Sequence, residues 1–193
     1  MKTDYELFKV KGIPVSISLW FLLILPLTGF DLSVFISVFI AVLIHELAHA
    51  LTAKSLGYGA YGITIGLFAG QAQVDSNMHP RDNIRVVAAG PISNLVLAII
   101  GLFSGFDTFF YINMFLFIFN ILPIYPMDGG HLMKDFLMLN MRNRRKAFEI
   151  SMIISLVTSV FLLIYCMLAG QLIMCVIACV FGYYALKELG YIK

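Results

Sequence analysis

Apolar residues run along this chain in long blocks separated by short polar interruptions. Five blocks, Ile13–Phe30, Leu32–Ala53, Ile84–Phe103, Ala147–Ala169 and Leu172–Leu189, approach or reach the roughly 20 residues that a helix needs to cross a hydrocarbon core. A sixth, Thr108–Leu122, is shorter and runs into Pro123 and Pro126. Residues 57–77, GYGAYGITIGLFAGQAQVDSN, are a different kind of object. They are glycine-rich and too polar for a crossing, and their alternating, β-branched positions favour extended chain. At membrane depth such a backbone needs protein or a water-filled cavity to satisfy it. A re-entrant hairpin docked on the helices meets that demand, and a cytoplasmic loop fits the composition equally. The pattern predicts an all-α polytopic membrane protein with six transmembrane helices and a re-entrant β-hairpin-like segment.

Composition strengthens the membrane reading and limits what else fits. Of 193 residues 61% are hydrophobic and 12% charged, where an ordinary soluble domain carries about 25% charged residues. Six crossings use nearly all of the chain. A single membrane-embedded domain over 1–193 is therefore expected, with a core about 32–140, accessory spans 13–30, 147–169 and 172–189, and no PDZ or other extramembrane domain. The leading MKTDYELFKVKG holds Asp4 and Glu6, and no A-x-A site follows, so it reads as the lead-in to an uncleaved span rather than a signal peptide. With six spans, Lys9, Lys11, Lys54, Arg81, Arg85, Lys134, the run RNRRK (142–146), Lys187 and both terminal lysines fall on one side, and the turns TGFD, SGFDT and AGQ hold no cation. Positive charge is retained in the cytoplasm. The expectation is a multi-pass protein of the plasma membrane with both termini cytoplasmic, its basic residues serving as topology anchors and with no nucleic-acid partner.

The second block carries the chemistry. LIHELAHALTAK (43–54) places His45, Glu46 and His49 in an otherwise apolar helix as H-E-x-x-H. Residues i and i+4 share a helix face, so both imidazoles can converge on one metal, with Glu46 one step round and able to reach an activated water. An ionised or strongly polar group at the centre of a spanning helix costs roughly 2.5–3.5 kcal/mol on insertion scales, and three together are hard to tolerate as idle decoration. A catalytic zinc needs a third protein ligand and an open position. Asp128 stands out among the remaining acids, because NILPIYPMDGGHL (120–132) breaks the helix with prolines and glycines directly after an apolar block. Irregular backbone there is expected to line a cavity, into which it can aim a carboxylate. Two neutral imidazoles, one aspartate and ionised Glu46 bring a zinc cluster near zero net charge, which a low-dielectric site holds most cheaply.

Three motifs in order, HELAH (45–49), GPISN (90–94) and NILPIYPMDGG (120–130), resemble those of the site-2 proteases, a family of intramembrane zinc metalloproteases. The resemblance implies one zinc per chain on His45, His49 and Asp128, with Glu46 as general base. It places Asn120 near substrate, and it makes residues 66–74 a hairpin whose edge accepts the substrate as an added strand, with Phe68 and Gly70 nearest the family pattern. Asn94 reads as a helix-packing residue beside the small AAGP surface, and His131 as a donor to a carboxylate or simply a loop residue. The minimal form resembled is similar to the sporulation protease that matures a sigma-factor precursor. It implies a membrane-embedded protein substrate, such as a sigma-factor precursor or an anti-sigma factor, cut near the cytoplasmic face of the bilayer, and membrane regulatory partners.

Other readings stand beside this one. A metal or proton transporter can use the same His/Glu cluster, although the last two blocks offer little polar lining for a path. A second membrane metalloprotease family takes its third ligand from a downstream glutamate, for which only Glu149 and Glu188 are available. Cys175 and Cys179 share an i, i+4 face, yet buried cysteines are far more often small hydrophobes.

Overall fold

The computed structural model describes residues 4–27, 29, 31–66 and 70–191. The chain divides into two compact units, residues 1–118 and 119–193.

The first unit opens with a hairpin where a spanning helix is expected. Strand β1 (Asp4–Val10) pairs antiparallel with β2 (Ile13–Ser18). The link is Lys11–Gly12, with φ of 48° and 83°. Positive φ at both central residues is what a two-residue hairpin turn with the twist of its strands requires. After β2 come a short 3-10 turn (Leu19–Leu23) and helix α1 (Ile24–Leu27). The expected helical span Ile13–Phe30 is thus corrected, and the all-α class holds in its coarser form, a mostly helical fold with a small sheet. The reason lies in IPVSIS: Ile13 and Val15 alternate with Pro14 and Ser16, a period of two that suits a pleated strand and not a helix. The apolar content is the same either way.

Helix α2 (Leu32–Ser55) follows, capped by Asp31, whose side chain accepts from the amides of Ser33 (2.8 Å) and Val34 (3.2 Å). Such a cap is worth about 1 kcal/mol. At its far end Lys54 Nζ donates to the Lys11 carbonyl at 2.5 Å. Segment 13–27 therefore begins near the Lys54 end of α2 and runs as strand and short helical turns, packing Phe21 on the first half of that helix. Phe21 is fully buried there against Phe35 and Phe39, at centroid distances of 5.2 and 5.9 Å.

Residues 60–65 and 70–74 form the expected extended pair, β3 (Ala60–Ile65) antiparallel to β4 (Gly70–Val74). β3 also pairs in parallel with β2, giving one sheet in the order β1-β2-β3-β4 with β4 at its edge. Its buried core is formed by Ile13 and Val15 of β2, Ile63 and Ile65 of β3, Phe21, and Ala50 of α2. Asp75 clamps the open end of the β3/β4 pair, accepting from Gly59 N (2.5 Å) and Tyr61 Oη (2.6 Å). Those two donors, the tyrosine foremost, hold its carboxyl below the usual range. A depressed carboxyl stabilises its surroundings above its unfolded value, and that support is lost as pH falls through the lower folded value. Hydrogen-exchange protection of the β3/β4 amides should therefore persist down to the ordinary aspartate range, about 3.9, and fall only below it. Asp75→Asn should weaken protection at neutral pH and remove that acid step.

Helix α3 (Pro80–Ser104) starts with Pro80 in its first turn and the His79 ring accepting from Arg81 N. It packs along α2, and α4 (Asp107–Ile121) follows. Prolines 123 and 126 stop α4 as expected, and the second unit continues through α5 (Asp128–Asn140), α6 (Arg144–Leu168) and α7 (Leu172–Glu188). Among the described residues α2, α3 and α6 are long and apolar enough to cross a membrane; α4 and α7 have 15 and 17 residues. The predicted six-helix count loses its first member to the hairpin.

Candidate metal centre

His45, Glu46 and His49 are all buried on α2, with no more than 8% of any of them exposed. Polar groups that leave water must find partners, and these partners fix the chemistry of the rings. His49 Nδ1 lies 2.8 Å from the Val86 carbonyl of α3. A carbonyl can only accept, so Nδ1 carries the proton and Nε2 keeps its lone pair. His45 Nδ1 lies 2.5 Å from Asn94 Oδ1, also on α3, and likewise donates. The two Nε2 atoms then face each other at 3.1 Å. Two lone pairs at that separation repel unless a cation sits between them. Two zinc–nitrogen bonds of about 2.0–2.1 Å at a tetrahedral angle put their nitrogens about 3.3 Å apart, so the imidazoles fit zinc.

Neighbouring elements approach this cluster too closely for ordinary side chains. A Cβ on Gly90 would stand 2.7 Å from His45 Nε2, and one on Gly70 would stand 2.6 Å from Glu46 Oε1. Helix α3 at Gly90 and the start of β4 at Gly70 can lie against the two imidazoles and the glutamate only because both residues lack a side chain. The edge strand β4 thus begins over Glu46. Phe68, singled out with Gly70, lies outside the described residues.

In the second unit, Asn120 occupies the last turn of α4, and Asp128 is the first residue of α5 and half-buried. The irregular stretch between them is held locally. Met127 N donates to the Ile124 carbonyl (2.8 Å), and Tyr125 N donates to Ser155 Oγ on α6 (2.8 Å). Gly129 and Gly130 lie against the backbones of Ile121–Leu122 and Ile124–Tyr125, where any Cβ would collide. That packing anchors the base of the helix from which the Asp128 carboxylate projects. The expectation of an aspartate in irregular backbone is refined: D-G-G opens a helix. His131, one turn on, packs its ring on Tyr125 at 5.0 Å.

Comparison with known proteins bears on these motifs separately. The peptidase family M50 matches residues 100–165, a stretch that holds NILPIYPMDGG and not HELAH. The Bacillus subtilis (strain 168) protein named "Putative zinc metalloprotease YwhC" is 38% identical over 73 residues, covering 27% of this chain and 33% of that protein. The chain thus spans about a third of the length of this curated relative. A solved structure, "Site-2 Protease from Methanocaldococcus jannaschii", superposes with a TM-score of 0.70 at 26% identity, covering 96% of this chain and 94% of that one. The chain is similar to peptidase family M50 over residues 100–165 and shares the fold of the site-2 protease. The resemblance read from the three motifs therefore holds, and nothing in these likenesses favours a transporter. Asn94 does more than the packing expected of it, because its side-chain oxygen accepts from the buried His45 ring. The signal available for that role is its place in GPISN alone.

Proposed function

We propose that this chain is an intramembrane zinc metalloprotease that cuts a transmembrane or membrane-associated regulatory protein near the cytoplasmic face. The observation that carries the reading is the pair of imidazoles, each with its proton held on Nδ1 and their Nε2 atoms 3.1 Å apart, beside a buried glutamate. His45, His49 and Asp128 are the residues that would hold one zinc, through two imidazole nitrogens and one carboxylate oxygen. Zinc, when bound, polarises a carbonyl and makes water acidic near neutral pH. Glu46 takes the proton of the attacking water as its oxygen adds to the scissile carbonyl carbon. It then passes that proton to the nitrogen as the C–N bond breaks, returning to a carboxylate.

A substrate helix must be unwound before its amides can be hydrolysed, and a strand edge offers new partners for the freed backbone. The edge of β4, starting at Gly70, serves that purpose beside Glu46, and Phe68 is proposed as a substrate contact from its place in the sequence alone. Asn120 supplies an amide to the substrate backbone or the developing oxyanion. Lys11 and Lys54 meet at one end of α2, which supports placing that end in the cytoplasm; the proposal puts both termini of a multi-pass plasma-membrane protein there by the charge pattern of the sequence. A sigma-factor precursor or an anti-sigma factor is the substrate class proposed. Quantitative membrane proteomics on cells carrying the parent or Glu46→Gln tests the function. One single-span protein should accumulate in the variant while its cytoplasmic fragment disappears; identical membrane proteomes would contradict the reading.

A further inference from the structure

Asn94 can serve His45 in two ways, because an amide presents an oxygen at one end and an NH2 at the other. Only one way leaves His45 Nε2 able to bind a metal. If Asn94 turned its Nδ2 toward the ring, Nδ1 would have to accept, and the neutral imidazole would carry its proton on Nε2. The choice between these states is made further along the same hydrogen-bond chain.

Asn94 Nδ2 donates to the Ala41 carbonyl at 3.3 Å and to Asn113 Oδ1 at 3.0 Å. Asn113, on α4, donates from its own Nδ2 to the Phe109 carbonyl at 2.9 Å. Both asparagines are 0% exposed. The chain begins and branches at backbone carbonyls, which only accept. Phe109 O therefore fixes the Nδ2 end of Asn113, leaving its Oδ1 to face Asn94. That oxygen, with Ala41 O, fixes the Nδ2 end of Asn94 and turns Asn94 Oδ1 to His45. Reversing the order would set oxygen against oxygen at Phe109 and again at Ala41, in a buried site where a hydrogen bond left unmade is costly.

We propose that Asn113 is a positioning residue for the metal centre: acting through Asn94, it holds His45 in the tautomer whose Nε2 lone pair faces the metal. It touches neither metal nor substrate. The 3.3 Å contact to Ala41 alone is long, so without Asn113 the Asn94 amide can rotate and both His45 tautomers become populated. His49 needs no such device, since it meets a carbonyl directly. The inference rests on the zinc reading, but the tautomer it concerns exists without metal.

The test is nitrogen-15 spectroscopy of histidine-labelled, metal-free protein in lipid bilayers at about pH 8, where imidazoles are neutral, with His45 assigned by the signal lost in His45→Gln. Zinc affinity is measured alongside by chelator competition. The parent should show His45 protonated on Nδ1. Asn113→Leu should bring in the Nε2-protonated form and lower zinc affinity by the roughly 10–100-fold usual for outer partners of metal ligands, with the thermal midpoint of the metal-free protein little changed. Asn113→Asp keeps an acceptor oxygen toward Asn94, and should retain the parent tautomer and most of the affinity. The inference is overturned if the parent's His45 is protonated on Nε2. It is equally overturned if Asn113→Leu keeps the parent tautomer, or if Leu and Asp variants lose zinc alike. A parent that binds no zinc would remove the protease reading, while the tautomer spectra would still decide the relay.

Discussion

Glu46→Gln should abolish proteolysis and leave the zinc in place. The amide matches the carboxylate in size, so the buried pocket around residue 46 beneath Gly70 stays filled, and His45 and His49 keep their partners on α3. What is lost is the ability to take a proton from water and return it to the departing amine. General acid–base groups contribute about 10²–10⁴-fold, so cleavage of a co-reconstituted single-span substrate should fall by at least that much. Metal analysis of the same preparation should give the parent's zinc content. Full activity in this variant would sink the mechanism, and loss of zinc with activity would make Glu46 a ligand instead.

Asp128→Ala should cost the metal itself. Two neutral imidazoles leave a doubly charged ion uncompensated in a low-dielectric site, and the carboxylate removes half of that charge. The loss in affinity should exceed the roughly 10–100-fold that changes to outer partners cause, so protein purified in the presence of a mild chelator should come out without zinc. Folding should survive, because Gly129, Gly130 and the Tyr125–Ser155 bond hold the start of α5 without the carboxylate. Retained stoichiometric zinc would move the third ligand elsewhere.

Features of this protein that are written in local spacing are legible in the amino-acid sequence itself. The i, i+4 histidines need only a helix, and the apolar run supplies one. Prolines 123 and 126 end α4 where their missing amides and ring sterics require. The alternation of residues 60–74 marks an extended pair. Misreading begins where two signals overlap. Segment 13–30 is apolar enough to span and alternates only over its first six residues, so hydropathy overrides the period-two pattern of β2. Helix α5 is hidden in the sequence, since D-G-G opens it with two residues of poor helix propensity whose value lies in close backbone packing. Contacts distant in sequence leave the least trace. Asn94 lies 49 residues from His45, and Asn113 another 19 beyond Asn94; an asparagine in an apolar helix looks like any polar packing residue until its partners are seen.

X-ray absorption at the zinc edge of the purified, zinc-loaded protein tests the central claim most directly. A metal held by His45, His49 and Asp128 should show only light scatterers at about 2.0–2.2 Å, with the outer-shell pattern of two imidazoles. A sulfur shell at about 2.3 Å, which would have to come from Cys166, Cys175 or Cys179, or a zinc with no imidazole scattering, would contradict it.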